Sequence, residues 1–213
     1  VKYSIRHLYK VSKNLEILKE KYMNTYSQLF KEREQMWFEK IKPFLPTLPS
    51  KILKIGNGFG HLSEMVRAIN SDTTILEIAL HTDTVNAEYV QIYDGNTIPA
   101  NNKSFDTTIL NLTLHHVKNS KTYFVNEILR VTKQRVILVE ETYDNLFQKM
   151  HLVFRDWWFN LKANQPCPIH WNSYFSRKAL NNLIASNNLS QVYRYTKKHK
   201  SYYKELVVLD IKN

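Results

Sequence analysis

Apolar residues recur at helical spacing over residues 14–42, where Leu15, Leu18, Tyr22, Tyr26, Leu29, Phe30, Trp37 and Ile41 are separated by dense charge. Pro43, Pro46 and Pro49 end that segment. Beyond them the period changes. Residues 51–55 form a short β-rich apolar run that stops at a glycine cluster, and residues 61–69 return to helical spacing. Strands follow at 73–80, 89–93 and 105–112, each apolar or β-branched and each bounded by polar turn residues. A helix is predicted over 121–131 and a fifth strand over 135–140. A long amphipathic helix then spans 144–162, its apolar face built from Leu146, Phe147, Met150, Phe154, Trp157 and Trp158. That stripe reads as core or pocket wall. A helix over 176–186 and a hairpin pairing 191–196 with 205–211 close the chain.

Strands alternating with helices at this spacing predict an α/β fold with a doubly wound, mostly parallel, seven-stranded Rossmann-like sheet. It carries an antiparallel C-terminal hairpin and an N-terminal helical extension. A length of 213 residues suits one domain. The expected division is an extension over 1–49, a ligand-binding core over 50–142, and a second-ligand helix with the closing hairpin over 143–213. Ligands in such sheets bind beyond the carboxyl ends of the strands, which places the glycine cluster, Glu77, Asp94 and Asn111 along one edge.

Composition narrows the possibilities. With 43% hydrophobic and 23% charged residues the chain lies in the globular range. No apolar run approaches the ~18 residues that cross a bilayer, and residues 1–10 lack the apolar stretch of a secretory signal. A cytoplasmic protein without membrane insertion is expected. Cys167 is the only cysteine, which excludes an internal disulfide and a multi-cysteine zinc site. The net charge is +11, but residues 43–160 carry 11 Lys and Arg against 12 Asp and Glu, so the excess sits at the two ends. Glycine is scarce. There are four in the chain, about 2% where roughly 7% is usual, and Gly56, Gly58 and Gly60 fall within five residues.

The pattern Gly56-x-Gly58-x-Gly60 has His61 where the dinucleotide fingerprint G-x-G-x-x-G requires its last glycine, which disfavours NAD and FAD. No Lys-Ser/Thr pair follows, so the phosphate-cradling P-loop is absent as well. Glu77, 21 residues after Gly56 at the end of the second strand, suits a carboxylate that accepts from both ribose hydroxyls. Asp94, at the end of the third strand, can accept from an adenine amino group. Together they describe an adenosine site. No H-x-x-x-H or E-x-x-H spacing occurs, and no metal site is expected.

Five ordered runs, Ile55-Gly-Asn-Gly-Phe-Gly60, Tyr93-Asp-Gly95 leading to Ile98-Pro99, Ser104-Phe-Asp106, Leu114-His-His-Val117 and Glu127-Ile-Leu-Arg-Val131, carry a resemblance. Over residues 50–142 the chain resembles the class I S-adenosylmethionine-dependent methyltransferases, in particular the small-molecule type grouped with ubiquinone and menaquinone biosynthesis enzymes. The resemblance implies methyl transfer from S-adenosylmethionine, leaving S-adenosylhomocysteine, to a small-molecule acceptor. It implies that Gly56, Asn57, Gly58 and Gly60 surround the methionine part and ribose, and that Glu77 holds the ribose. Asp94 would hold the adenine, with Gly95 and Asn111 lining the same cleft. One position departs from the family pattern: Lys54 stands two residues before the first glycine, where an acidic residue is usual.

Methyl transfer from an activated sulfonium is mostly a matter of positioning, and a base is needed only for a poor nucleophile. His115 and His116 follow the fourth strand at the cleft edge, where either could take a proton from a hydroxyl acceptor or serve the fold alone. Tyr143, Asp156, Trp157 and Asn160 are the expected acceptor-side residues, with Asp156 and Asn160 four apart on one helical face. Two further readings stay open. The basic C-terminal stretch of Lys197, Lys198 and Lys200 with Tyr193, Tyr195, Tyr202 and Tyr203 would suit RNA methylation. Lys54 would suit a non-catalytic binding protein that kept the fold, in which Lys54→Asp should create or strengthen cofactor binding.

Overall fold

The computed structural model describes residues 28–77, 84–117, 121–162 and 169–212. The predicted helix over 14–42 is seen as α1, residues 28–41, and its earlier part lies outside the described residues. Cys167 and residues 78–80 of the predicted second strand lie outside them too. Pro43 converts the end of α1 into a short 3-10 turn, Lys42–Phe44.

The remaining elements are β1 (Ile52–Ile55), α2 (His61–Ile69), β2 (Thr73–Glu77), β3 (Val90–Ile92), β4 (Phe105–Asn111), α3 (Lys121–Val131), β5 (Thr132–Tyr143), α4 (Leu146–Lys162), β6 (Phe175–Ser176), α5 (Arg177–Ala185), β7 (Leu189–His199) and β8 (Tyr202–Ile211). The sheet runs β3-β2-β1-β4-β5-β8-β7, and β6 adds two residues beside β5. Strands β1 to β5 are parallel to their neighbours, while β8 is antiparallel to both β5 and β7. The predicted topology is therefore the observed one. Two strand regions lengthen, and a short strand, β6, is added to the seven expected. β5 extends to Tyr143 because β8 pairs with it as far as Thr142, opposite Tyr203. The closing hairpin lengthens to 189–199 with 202–211, and β6 pairs with Thr142 and Tyr143.

Both faces of the sheet are covered, which explains why its strands read as near-continuous apolar runs. Alternate residues feed two cores. Leu53, Ile55, Leu110, Leu138 and Val207 pack with Phe124 and Ile128 of α3 and Leu180 of α5. Ile52, Ile109, Ile137 and Val208 pack with Trp37 and Ile41 of α1 and Leu62 and Val66 of α2. Register levels the strand ends: Ile55 pairs with Leu76 and with Leu110, and Asn111 pairs with Val139. Gly56, Glu77, Asn111 and Glu140 consequently line the carboxyl edge of the sheet. A cleft of about 280 Å³ lined by Pro43, Pro46, Thr107, Arg135 and Asp210 lies at the opposite edge, away from these groups.

Candidate functional site

The glycine turn between β1 and α2 takes a path that side chains would block. Gly56 has φ 81°, and a Cβ there would fall 1.9 Å from Thr113 Oγ1. Thr113 in turn donates to the carbonyls of Ile55 and Asn111, each 3.1 Å away, so it has no room to yield. Gly60, φ 90°, would place a Cβ 2.6 Å from Val85 O.

Charged side chains fix the turn from three directions. Glu77 Oε2 accepts from the backbone N–H of Asn57 at 2.5 Å and of Gly58 at 3.3 Å. Lys54 is fully buried and donates from Nζ to Gly56 O. Burial pushes its pKa down, and the carboxylates of Glu34 and Glu77 oppose that fall. Glu34, buried on α1, accepts at Oε2 from Leu62 N at 2.7 Å, satisfying a donor in the first turn of α2 that no helical carbonyl can reach. The side chain of Lys54 shares the face of Ile52, which is the face α1 covers; strand alternation thus aims the ammonium toward α1 and its carboxylate.

Asn57 accepts from Ser63 Oγ at 2.5 Å, but its buried Nδ2 has no partner, nor has the buried Oδ1 of Asn111. Two orphaned polar atoms of opposite sense at one strand edge, each costing about 1–3 kcal/mol unless satisfied, are what a polar ligand with donors and acceptors would meet. Asp94 is exposed and its Oδ1 accepts from the N–H groups of Asn96 (2.8 Å) and Thr97 (3.1 Å); these bonds hold its carboxyl below the usual range. Gly95, φ 76°, completes that turn. The structure thus brings Gly56, Asn57, Gly58, Gly60, Glu77 and Asn111 together, with Asp94 and Gly95 in a turn following the adjacent strand β3.

On the other side of β4, a 3-10 turn at Leu114–His116 presents the two histidines. His115 is buried, its Nδ1 on Glu140 Oε1 and its Nε2 3.6 Å from Asp156 Oδ2. Burial disfavours its charge, yet Glu140, Asp156 and Glu141 outweigh that and push the pKa up to about 9. With no cation bound, a histidine so held keeps its proton at neutral pH, which makes it a poor base. His116 is half-buried, its ring 4.1 Å from that of His115. Asp156 also accepts from Tyr174 Oη at 2.5 Å.

α4 contributes Leu152, Asp156 and Asn160 inward. The stripe predicted as core or pocket wall faces out instead, with Phe147 75%, Phe154 59% and Trp157 45% exposed. Trp157 therefore stands apart from Asp156 and Asn160, while Tyr143 packs beside Leu152, Tyr174 and Tyr202. Sequence reasoning missed Glu34, Arg33, Glu140, Arg155 and Lys204. Glu141, buried, contacts Arg155 and lies 3.6 Å from Lys204; Nε of Arg33 and of Arg155, Oη of Tyr202 and Nδ2 of Asn160 are buried without partners. An acidic pair closing an apolar strand, Glu140-Glu141, was the available signal for this polar layer.

The basic C-terminal tyrosines are engaged elsewhere. Tyr193 packs on Phe44, Tyr195 on Trp37 under Lys40, and Tyr203 under Arg177, while Tyr202 is buried. Each of these rings thus makes a contact within the protein that a stacking base would have to share or displace. Among the described residues no helix is long and apolar enough to cross a membrane.

The sequence profile of the family described as Methyltransferase domain matches residues 29–193. No curated protein matches the chain. Solved structures of similar fold include a SAM-dependent methyltransferase from Methanosarcina mazei, 17% identical with a TM-score of 0.57 over 80% of this chain and 96% of that one. Another is the geranyl diphosphate C-methyltransferase of Streptomyces coelicolor, in complex with Mg2+, geranyl diphosphate and S-adenosyl-L-homocysteine, at 13% identity, TM-score 0.58, and 84% and 81% coverage. A third is the magnesium protoporphyrin IX methyltransferase of Synechocystis with bound SAH, at 14%, 0.54, and 90% and 86%. A profile that runs from α1 into β7, over this strand order and this glycine turn, makes the chain a member of the methyltransferase domain family.

Proposed function

We propose that the protein transfers a methyl group from S-adenosylmethionine to a small-molecule acceptor held beneath α4. The observation that carries this reading is the turn at Gly56–Gly60, closed to any Cβ at its ends and flanked by the unpartnered Asn57 Nδ2 and Asn111 Oδ1. Those groups, with Glu77, fit the cofactor's ribose and amino-acid portions, and Asp94 and Gly95 its adenine. When bound, S-adenosylmethionine supplies a methyl group already activated on a sulfonium. The chain's own task is then to exclude water and hold the acceptor in line. The layer formed by buried His115 and by Asp156, Asn160 and the half-buried Arg155 of α4 favours a polar acceptor with oxygen atoms rather than a wholly apolar one. Lys54 supports rather than opposes this reading, since it binds a turn carbonyl between two carboxylates.

Calorimetric titration with S-adenosylmethionine and S-adenosylhomocysteine tests it. Micromolar binding by the wild type, abolished in Gly56→Ala, is expected. A folded wild type that binds neither ligand at millimolar concentration would favour the non-catalytic reading instead.

A further inference from the structure

His115, His116 and Asp156 come from a turn and a helix 40 residues apart in the chain, yet a ligand atom from each lies within 4.8 Å of the others. We propose that these three side chains bind a divalent transition-metal ion, of the zinc class, at the acceptor side of the cleft. The site stands without the methyl-transfer reading; only its use, holding an acceptor oxygen, rests on it.

Geometry comes first. Metal–nitrogen and metal–oxygen bonds near 2.0–2.2 Å put neighbouring ligand atoms of a tetrahedral site roughly 3.4 Å apart. His115 Nε2 and Asp156 Oδ2 are already 3.6 Å apart. The His116 nitrogen lies within 4.8 Å of both, so the ring has up to about 1.4 Å to move for a tetrahedral site.

The surroundings supply the second argument. A metal-bound histidine is oriented by a carboxylate on its other nitrogen, and His115 Nδ1 rests on Glu140, which aims Nε2 at Asp156. Asp156 is held by the Tyr174 hydroxyl, which donates to the same Oδ2 that faces His115 Nε2 and leaves that oxygen a second lone pair for the ion. Both are buried, so the pair is preset rather than assembled on binding. Asn160, one turn along α4 from Asp156 and buried like it, carries an Nδ2 without a partner, a donor free for an oxygen bound nearby. Two imidazoles and one carboxylate form a borderline donor set that suits Zn2+, Co2+ or Ni2+; Mg2+ and Ca2+ prefer oxygen throughout. Three protein ligands leave a position for an exogenous oxygen, the arrangement of catalytic rather than structural zinc sites.

The competing account on the same geometry is a charged His115 bridging Glu140 and Asp156 with no ion. Titration of the tag-free, chelator-stripped full chain with Zn2+, Co2+ and Mg2+ separates the two. Expected are saturable Zn2+ binding at a single site with a rise in Tm, a visible d–d absorption band with Co2+, and no response to Mg2+. His116→Ala and Asp156→Asn should abolish the Zn2+ and Co2+ responses, and Glu140→Gln should weaken Zn2+ roughly 10–100-fold. His151→Ala, at an exposed histidine, should leave them unchanged. Should Asp156→Asn fail to fold, His116→Ala carries the test, because its ring is half-buried and circular dichroism reports its fold. A wild type without saturable Zn2+ binding, or binding that survives His116→Ala, overturns the proposal. Parallel titration with S-adenosylmethionine keeps the outcomes distinct: cofactor binding without metal sinks only this site, and metal binding without cofactor sinks only the methyl-transfer reading.

Discussion

An ammonium buried at Lys54 costs the fold its hydration, and that cost is offset locally by Gly56 O and by the carboxylates of Glu34 and Glu77. The exchange Lys54→Asp would put a third carboxylate among those two, so it is expected to weaken both the fold and the cofactor turn rather than to create a better site. A Tm lowered in Lys54→Asp and partly restored by adding Glu34→Gln is the expected result; an unchanged or raised Tm in the single variant would contradict the pairing. Glu34→Gln alone removes a charged acceptor from Leu62 N–H and should cost about 1.5–3 kcal/mol in a denaturant titration. The turn itself gives a second residue-level contrast. At Gly58 a Cβ would meet only Glu34 Oε1, at 3.7 Å, so Gly58→Ala should retain more cofactor binding than Gly56→Ala, whose Cβ would collide with Thr113 Oγ1. The glycines, Glu77 and Asn111 were legible because chain spacing and strand register fix them directly. Glu34 was not: it lies 20 residues before Lys54 in a helix dense with charge, and only packing of α1 on β1 distinguishes it from its exposed neighbours Glu32 and Glu39.

At the level of elements, α3 does more than cover the sheet. Glu127 accepts at Oε2 from Ile98 N (3.0 Å), and Arg130, paired with Glu127, donates to the carbonyls of Ile98 and Ala100. This clamp fixes the β3–β4 connection just after the Asp94-Gly95 turn. The hydrogen bonds from Arg130 hold the Glu127 carboxyl below its ordinary value. Its contribution is therefore full above the unfolded value, ~4.5, and is lost as pH falls through the lower folded value. Glu127→Gln should lose about 1–3 kcal/mol at pH 7 and flatten the acid limb of stability against pH; parallel acid limbs in variant and wild type would refute the clamp. Most elements were legible because two-sided burial gives the strands unmistakable apolar runs. α4 was misread for a physical reason. An amphipathic pattern shows which face differs, not which face is buried, and here the inner face meets a polar layer of Glu140, Glu141 and Tyr174, so it carries Asp156 and Asn160 while the aromatics face outward. The same layer hid the last turns of β5, where Glu140-Glu141-Thr142 looked like the end of a strand.

Across the whole molecule, charge is divided between a buried set at the carboxyl edge and a solvated excess at the C-terminal end. Lys197 and Lys198 are exposed on the edge strand β7, where lysines also discourage sheet-to-sheet association. Phosphates could still be drawn to them, but sequence-tolerant RNA binding needs aromatic faces as well, and Tyr193, Tyr195 and Tyr203 each already hold a protein group against the ring. Affinity for a single-stranded RNA should therefore be electrostatic alone: weak near 150 mM salt and falling steeply as salt rises. Lys197→Glu with Lys198→Glu should reduce that affinity and its salt slope while leaving cofactor titration unchanged, because β7 lies two strands beyond β5 and outside the glycine-turn edge. RNA binding that persists at high salt and falls on Tyr203→Ala would mean that the rings release their protein partners to stack on bases, and would return the basic surface to the substrate side of the reaction.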